Sequence, residues 1–340
     1  MKVKFIILMA CLITTRLTLY GQDYKELKGI EIESGKEFWD LLRVIAPLKK
    51  TDINAAIIKW EENFYKTKNS FTKSQIAEIL SDLYITTKQP DKCIPLYNVL
   101  INSGISVFPD YAKILENNQK FIPLLNQNNQ LIKDANAIST AEYSIQKPDN
   151  YNEGNRYPLI MILQGGYGCI QNMQNYWNSS KLHTGYLVAF VQGKEVICSF
   201  TRRFGSNDIK DVKNIYKKIT EDYLIDTSKV ILCGQSAGGK LSIDLAINKH
   251  INAQGLILAF PVKPGNFNAD KILEAGLKGL RVSMVCGEND WAIKSQKEMS
   301  VIFDKLGVTN RLIILPAYGH EFPKDFSNQI DSSIDFIRTH

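Results

Sequence analysis

The feature that most constrains the fold is an alternation, after Ser139, of short apolar runs with longer amphipathic segments. The apolar runs are Leu159–Leu163, Leu187–Val191, Val230–Cys233, Leu256–Phe260, Val282–Cys286 and Leu312–Leu315. The segments with helical spacing are Met173–Leu182, Ile209–Tyr223, Leu241–Asn248, Lys294–Leu306 and Asp325–Ile337. Strands that are apolar on both faces, separated by helices, indicate a parallel sheet covered on both sides. Residues 139–340 are therefore predicted to form an α/β domain.

One strand-to-helix junction has the pattern of a nucleophile elbow. Gly234-Gln235-Ser236-Ala237-Gly238 follows the run that begins at Val230 and precedes a helical segment. An elbow holds a serine in a strained turn, and small residues two places on either side let the strand approach the helix. Gly234 and Gly238 meet that requirement. Because the motif lies between a buried strand and a helix, it predicts Ser236 as a nucleophile.

An acid and a base follow the elbow in the order that this type of site uses. Asp290 lies in the turn after the run Val282–Cys286, with Glu288 as the alternative acid. His320 lies in a glycine-containing loop after the last apolar run. The carboxyl ends of parallel strands meet at one edge of a sheet, so Ser236, Asp290 and His320 are predicted to lie together.

These residue types predict acyl transfer. A neutral imidazole activates a serine hydroxyl by taking its proton, and a carboxylate fixes the imidazole tautomer. The oxyanion that forms needs preorganised donors. The backbone N–H of Ala237 is one predicted donor, and the loop after Leu163 supplies the other, from Gly166 or Tyr167.

Several side chains near the predicted site are candidate substrate contacts. They are Gln164, Gln235, Trp291, Arg202 and Arg203. Trp291 would wall a pocket, or else pack over its own loop. The two arginines would bind a carboxylate on the substrate, or else form a solvated basic turn.

The front part of the chain is predicted to be helical. From Asp23 to Ala137 apolar residues recur at three- and four-residue spacing, and glycines are few. The stretch Lys73–Ser103 resembles one tetratricopeptide-type hairpin, but no fixed repeat follows. We therefore expect a helical accessory domain over residues 22–138. We also expect it to be separable, since a chain beginning near Ser139 keeps the predicted acid, base and nucleophile.

The first 21 residues have the form of a signal peptide. Lys2 and Lys4 precede the apolar run Phe5–Ile13, which is too short for a spanning helix and is followed by Arg16. Cleavage near residue 21 would place the protein in the periplasm, on the cell surface or outside the cell. The alternative is a lipoprotein attached through Cys11.

Composition excludes several classes of protein. The net charge is +6, of which the predicted signal peptide supplies three positive charges, so neither nucleic acid nor a membrane surface is an expected partner. Six cysteines become five after cleavage, without the spacing of a metal site or a disulfide framework. We expect no metal and no cofactor.

The segment from Tyr143 to Ile337, which contains the predicted nucleophile, acid and base, resembles the secreted α/β-hydrolase esterases of the feruloyl-esterase and polyhydroxybutyrate-depolymerase type. The positions that carry the resemblance are Gly165-Gly166, the segment Asn207–Asp226, the Ser236 elbow, Asp290 and His320. Gln164 departs from the related motif, which usually has histidine before its glycines. The resemblance implies an α/β-hydrolase fold and hydrolysis of carboxylic esters, either carbohydrate-linked or of small acyl groups.

Two other functions remain open from the sequence. The same triad on the same fold also cleaves peptides, so a secreted serine peptidase is the alternative enzyme. A non-catalytic binding protein on a hydrolase scaffold is the alternative outside catalysis. Ester and peptide panels separate the two enzymes, and covalent labelling by a fluorophosphonate separates both from a binding protein.

Overall fold

The computed structural model describes residues 29–116 and 118–339. The predicted signal peptide and Cys11 lie outside the described residues. The first region is helical, and its helices are α1 Lys36–Ile45, α2 Ile53–Lys66, α3 Ser70–Thr86, α4 Cys93–Asn102, α5 Pro109–Ile114 and α6 Ile122–Ile138. Short 3₁₀ turns at Ala46–Lys50 and Pro90–Lys92 connect neighbouring helices.

The helical region has its own apolar core. Trp60 and Phe64 of α2, Phe71 of α3 and Tyr97 of α4 are almost fully buried in it. Two of these helices begin at a side-chain cap: Asp52 accepts a hydrogen bond from Ala55 N at the start of α2, and Asn69 accepts one from Thr72 N at the start of α3. Among the described residues, none of the helices has the length and apolar character needed to span a membrane.

The second region is built on a seven-stranded sheet. Its strands are β1 Glu142–Gln146, β2 Tyr157–Leu163, β3 Leu187–Gln192, β6 Ile225–Gln235, β7 Gly255–Ala259, β8 Arg281–Gly287 and β9 Thr309–Leu315. The order across the sheet is β1-β3-β2-β6-β7-β8-β9, and every pairing is parallel except that of β1 with β3. Helices cover both faces, so the predicted fold class is confirmed.

The two faces carry separate sets of helices. On one face lie α9 Asp208–Asp222, α10 Ala237–Ile247, α11 Ala269–Leu277 and α12 Ile293–Lys305. On the other lie α7 Ile170–Tyr176, α8 Ser180–Gly185 and α13 Phe326–Arg338. Alternate residues of β2 point to opposite faces: Met161 packs with the first set and Ile162 with the second.

The sequence prediction missed or misplaced three elements. The helix predicted over Met173–Leu182 is instead split into α7 and α8, because the backbone of Trp177 leaves the helical conformation. Helix α11 was not predicted. A two-stranded antiparallel hairpin, β4 Glu195–Cys198 and β5 Thr201–Arg203, projects beyond the carboxyl end of β3 and was also missed.

Candidate active site

Ser236 occupies a strained turn between β6 and α10. Its φ is 51° and its ψ is −117°, a combination rarely adopted outside glycine. The turn needs two glycines for close approach: a Cβ on Gly234 would lie 2.4 Å from the Gly238 carbonyl carbon, and one on Gly238 would lie 2.1 Å from Gln164 O. The backbone therefore projects the Ser236 side chain above the carboxyl edge of the sheet.

Asp290 lies in the turn between β8 and α12, and only 2% of it is exposed. Its Oδ1 accepts a hydrogen bond of 2.7 Å from Ala292 N, and its Oδ2 accepts one of 3.0 Å from Gln296 Nε2. The alternative acid, Glu288, has an exposed side chain two residues earlier. The structure therefore places Asp290, and not Glu288, as a buried and oriented carboxylate.

His320 connects the carboxylate to the serine. Its Nδ1 lies 3.0 Å from both Oδ1 and Oδ2 of Asp290, and its Nε2 lies 2.9 Å from Ser236 Oγ. The sheet register explains the meeting, because β8 and β9 end together at the pair Gly287–Leu315, beside β7 and β6. The three predicted residues form one hydrogen-bonded chain, in which Nδ1 is oriented to donate and Nε2 to accept.

Aromatic rings flank His320. Phe260, directly after β7, has its ring centroid 4.7 Å from that of the imidazole, and the centroid of Trp291 lies 4.9 Å from it. Trp291 is 70% exposed. Phe322 contacts Phe260 at 4.9 Å and stacks on Tyr176 at 4.3 Å. The space next to the imidazole is therefore bounded by aromatic surface that is partly open to solvent.

The loop after β2 lies directly over the elbow. Leu163 pairs with Gly234 in the sheet, so Gln164 and Gln235 leave their strands side by side. A Cβ on Gly165 would lie 3.3 Å from the Gln235 side chain, whereas one on Gly166 would meet no atom within 4 Å. Because the sequence predicts an oxyanion donor in this loop, residues 164–168 are called the oxyanion loop below. Its Gly166 faces open space.

Three backbone N–H groups of the elbow and the oxyanion loop have no partner in the part of the chain that the structure describes. Within the described residues, no hydrogen bond occupies the N–H of Gly166, Tyr167 or Ala237. Ala237 is also the first residue of α10, where the helix dipole favours negative charge. These N–H groups are the ones that the sequence predicts as oxyanion donors.

The candidate substrate contacts fall into two groups. Gln164 is fully buried and donates from Nε2 to Arg202 O at 2.7 Å, so it supports the oxyanion loop instead of reaching a substrate. Arg202 turns away as well, because its Nη2 pairs with Glu142. The Gln235 side chain accepts from Trp177 Nε1 at 3.3 Å. Gln164 and Arg202 are therefore not placed to make the substrate contacts that were predicted for them.

The other two candidates face accessible space. Trp291 borders His320, as described above. Arg203 lines a cavity of about 350 Å³ that opens beside Gly166 and Ala237. The remaining side chains of this cavity are Phe204, Asp208, Lys240, Leu241 and Asp244. Because Arg203 also forms an ion pair with Glu195, it presents a compensated charge.

The sequence prediction missed three residues that the structure places at the site. Phe260 contacts the imidazole, and Phe322 packs against Phe260. Both lie in loop segments whose sequence carries no distinctive motif. Gln296 is fully buried on α12 against Asp290. A glutamine on the buried face of an amphipathic helix, where an apolar residue is expected, is the one signal that could have identified it.

The described cysteines are all buried and unpaired. Burial raises the pKa of the Cys169 thiol to about 12 and that of Cys198 to about 11, and the nearby Glu78 carboxylate adds to both shifts. A thiol with a raised pKa is a poor nucleophile near neutral pH. Cys169 and Cys198 are both free, and no disulfide joins them in the described part of the chain.

Comparisons with known proteins agree with the fold. No protein-family model matches the chain. An uncharacterized protein from Bacillus cereus superposes with a TM-score of 0.50 at 17% identity, covering 90% of this chain and 99% of that chain. The match extends into the helical region because it covers more than the sheet domain. The chain therefore has the α/β-hydrolase fold that the sequence predicted, preceded by helices.

Two curated proteins share weaker sequence similarity. Feruloyl esterase D from Neurospora crassa is 26% identical over 138 residues, which are 37% of this chain and 47% of that protein. A probable dipeptidyl-aminopeptidase B from Arthroderma benhamiae is 25% identical over 178 residues, which are 47% of this chain and 19% of that protein. The similarity thus spans less than half the length of each curated relative.

Proposed function

We propose that this protein is a serine hydrolase that cleaves carboxylic esters, with Ser236 as nucleophile, His320 as base and Asp290 as acid. One observation carries the proposal: His320 lies 2.9 Å from Ser236 Oγ and 3.0 Å from the Asp290 carboxylate, at the end of a strained strand-to-helix turn. This geometry matches the requirement for a nucleophile, a base and an orienting group in hydrogen-bond reach.

Acylation follows from the geometry. His320 Nε2 takes the Ser236 hydroxyl proton as Oγ attacks the carbonyl carbon, and Asp290 stabilises the imidazolium that forms. Collapse of the tetrahedral intermediate breaks the bond to the alkoxide oxygen, which receives the proton from Nε2. The products are a free alcohol and an acyl group esterified to Ser236. A water molecule, deprotonated by the same nitrogen, then hydrolyses the acyl-enzyme.

The negative charge of each tetrahedral intermediate requires donors. Ala237 N–H and an N–H of Gly166 or Tyr167 supply them in this proposal, since all three are unoccupied and the oxyanion loop covers the elbow. Losing one such donor commonly raises the barrier by about 3 kcal/mol.

The surroundings of His320 favour a substrate with a ring in its alcohol part. The leaving oxygen must lie next to Nε2 to receive its proton, so the leaving group occupies the side of the site that Trp291 borders. An exposed indole face binds the apolar face of a sugar or aryl ring. Carbohydrate-linked esters and small acyl esters are therefore the proposed substrates, and the similarity to a feruloyl esterase supports this class.

A Ser236→Ala variant tests the proposal. Turnover of p-nitrophenyl acetate should fall at least a thousandfold, because the triad acts as a unit. Ser228→Ala, which alters an exposed serine on β6, is the control and should match wild type. Labelling by a fluorophosphonate should occur in the wild-type and control proteins alone. Ser236→Ala activity within tenfold of wild type would sink the assignment.

A serine peptidase is the second candidate. It is supported by the sequence similarity to a dipeptidyl-aminopeptidase over 47% of this chain. Matched substrates that differ only in an ester or amide bond to the same acyl group separate the two activities. A kcat/KM for the amide equal to or above that for the ester would favour the peptidase.

We also propose that the protein is exported, on the basis of Lys2, Lys4 and the apolar run Phe5–Ile13. Mass spectrometry of the protein from its native cell should find an amino terminus near residue 21. Lipidation at Cys11 would support the lipoprotein alternative.

A further inference from the structure

The oxyanion loop is attached to the β4–β5 hairpin by three hydrogen bonds. Gly168 N donates to Arg202 O at 3.2 Å, and Arg202 N donates to Gly168 O at 2.8 Å. Gln164 Nε2, from inside the loop, donates to the same Arg202 O at 2.7 Å. The position of the loop is thus fixed at both of its ends by one residue of the hairpin.

The hairpin is in turn held by the helical region. Asn136 of α6 pairs with the backbone of Val196 as a neighbouring strand would: Nδ2 donates to Val196 O at 2.7 Å, and Oδ1 accepts from Val196 N at 2.9 Å. At the tip of the hairpin, Ser106 N donates to Ser199 Oγ at 2.8 Å. The hairpin lies beyond the sheet, so these contacts replace strand neighbours that it lacks.

Apolar packing continues the same contact. The Phe200 ring meets the Phe71 ring edge-on, with centroids 5.6 Å apart; Phe71 belongs to the core of the helical region, and the partly buried Phe200 packs against that core. Cys169, directly after the oxyanion loop, is buried in the same core. The core of the helical region therefore extends into the hairpin and the end of the loop.

A direct contact joins the helical region to the oxyanion loop itself. Phe108 packs edge-on against Tyr167, with ring centroids 5.6 Å apart and planes at 82°. Phe108 is itself held in place, because the buried Asn128 makes two hydrogen bonds to the backbone of Val107, of 2.8 and 3.1 Å. Tyr167 is 58% exposed, and Phe108 is its one aromatic partner among the described residues.

We infer that the helical region positions the oxyanion loop, with Phe108 and Asn136 as the positioning residues. The inference rests on the proposed function, because it concerns the donors of that same site. The expectation of a separable accessory domain stays a prediction beside it: in this inference the helices hold the oxyanion loop through the hairpin and, at Phe108, directly.

Small displacements of this loop matter for chemistry. Oxyanion donors act only within about 2.7–3.1 Å of the developing charge, and a misplacement of about 1 Å can cost a hundredfold in rate. Ser236, Asp290 and His320 are carried by other loops. Loosening the oxyanion loop should therefore lower kcat. It should leave KM and the hydrogen bonds within the triad largely unchanged.

Two variants, Phe108→Ala and Asn136→Ala, test the inference in the full-length protein. Each has a matched control in α2 that lies away from the hairpin: Tyr65→Ala removes an exposed ring, and Asn63→Ala removes an amide bonded to Lys59 O. We expect kcat for p-nitrophenyl acetate to fall about ten- to a hundredfold in the two variants, with KM within twofold. Both controls should retain wild-type values.

A transition-state mimic separates positioning from a structural effect. A trifluoromethyl ketone forms a tetrahedral oxyanion on Ser236, so its affinity should fall in parallel with kcat/KM in both variants. Phe108→Tyr keeps the ring and should restore the wild-type rate. Phe108→Leu keeps apolar volume without a ring, and should retain the loss even if Phe108→Ala does not fold.

The possible results divide clearly. Folded variants whose kcat and ketone affinity stay within twofold of wild type would overturn the inference, as would equal losses in the two controls or a change in KM alone. A wild-type protein that neither hydrolyses esters nor reacts with a fluorophosphonate would overturn the proposed function, and the inference with it.

Discussion

Gln296 donates a hydrogen bond of 3.0 Å from Nε2 to Oδ2 of Asp290, and both side chains are buried. The same Nε2 lies 3.2 Å from Pro261 O, so the amide is held between the acid and the loop after β7. Asp290 therefore faces His320 with both oxygens already hydrogen-bonded. Its orientation does not depend on the imidazole alone.

Removing this donor should lower activity without removing a triad member. We expect Gln296→Leu to reduce kcat about tenfold, because Asp290 loses one of the bonds that orient it toward His320. Gln329→Leu is the control, since it removes an amide-to-carboxylate bond on the exposed side of α13. Steady-state kinetics on a small ester measure the effect. Wild-type kcat in a folded Gln296→Leu protein would contradict it.

Because the backbone of Ser236 is strained, replacing this residue by glycine should raise the stability of the protein while it abolishes activity. Ser236→Gly removes the nucleophile and allows the positive φ without a Cβ, whereas Ser236→Ala keeps the strain. We expect the glycine variant to be more stable than the alanine variant by about 1 kcal/mol, or roughly 1–2 °C in Tm for a chain of this length. Calorimetry of the two inactive proteins tests it. A glycine variant that melts below the alanine variant would refute the strain argument.

Alanine substitution should lower stability at one glycine of the site and leave it unchanged at another. A Cβ on Gly238 would collide with backbone atoms of Leu163 and Gln164, so Gly238→Ala must displace the oxyanion loop or the start of α10. We expect it to lose about 1–3 kcal/mol of stability and most of its activity. Gly166→Ala, with no atom within 4 Å, should fold with wild-type stability. Similar Tm losses in the two proteins would contradict this reading.

Much of the site could be predicted because its chemistry lies at strand ends. The strands around Ser236, Asp290 and His320 are apolar on both faces, and such runs are visible in sequence. The hairpin could not be predicted: its two strands have only four and three residues, and it is stabilised by partners such as Asn136 that lie distant in sequence. The direction of Arg202, toward Glu142 and away from the site, is likewise a tertiary effect.

Trp291 should affect binding more than chemistry. Its ring lies 4.9 Å from the His320 ring, on the side proposed for the leaving group, and within the described residues it makes no hydrogen bond with the triad. We expect Trp291→Ala to raise KM about tenfold for an ester of a sugar or aryl alcohol, from the loss of about 1–1.5 kcal/mol of ring contact. The matched methyl ester should be nearly unaffected. Equal effects on the two substrates would argue against a leaving group on this side.

Glu78 should make stability depend on pH. Burial, with a smaller contribution from Asp82, raises the pKa of this carboxyl to about 7, and its Oε1 lacks a partner among the described residues. Below the unfolded value of 4.5 the group is protonated in both states and has no effect. As pH rises from there to about 7, the unfolded chain ionises first, so stability falls.

Replacing that carboxyl should remove the dependence. We expect Glu78→Gln to equal wild type in urea unfolding at pH 4 and to exceed it by about 1–3 kcal/mol at pH 8. Asp110→Asn, at an exposed carboxyl of α5, is the control and should match wild type at both pH values. Identical midpoints for wild type and Glu78→Gln at pH 8 would contradict the raised pKa.

Labelling of the buried cysteines can measure local unfolding of the native protein. A thiol reagent reacts only after local or global exposure, so the labelling rate of each cysteine measures the free energy of the opening that uncovers it. Cys169 and Cys198 lie where helices, hairpin and oxyanion loop meet, whereas Cys233 and Cys286 lie within the sheet. If the helical region can detach as a unit, the first pair becomes reactive long before the second. Labelling of all four cysteines at the same rate would mean that the two regions unfold as one cooperative unit.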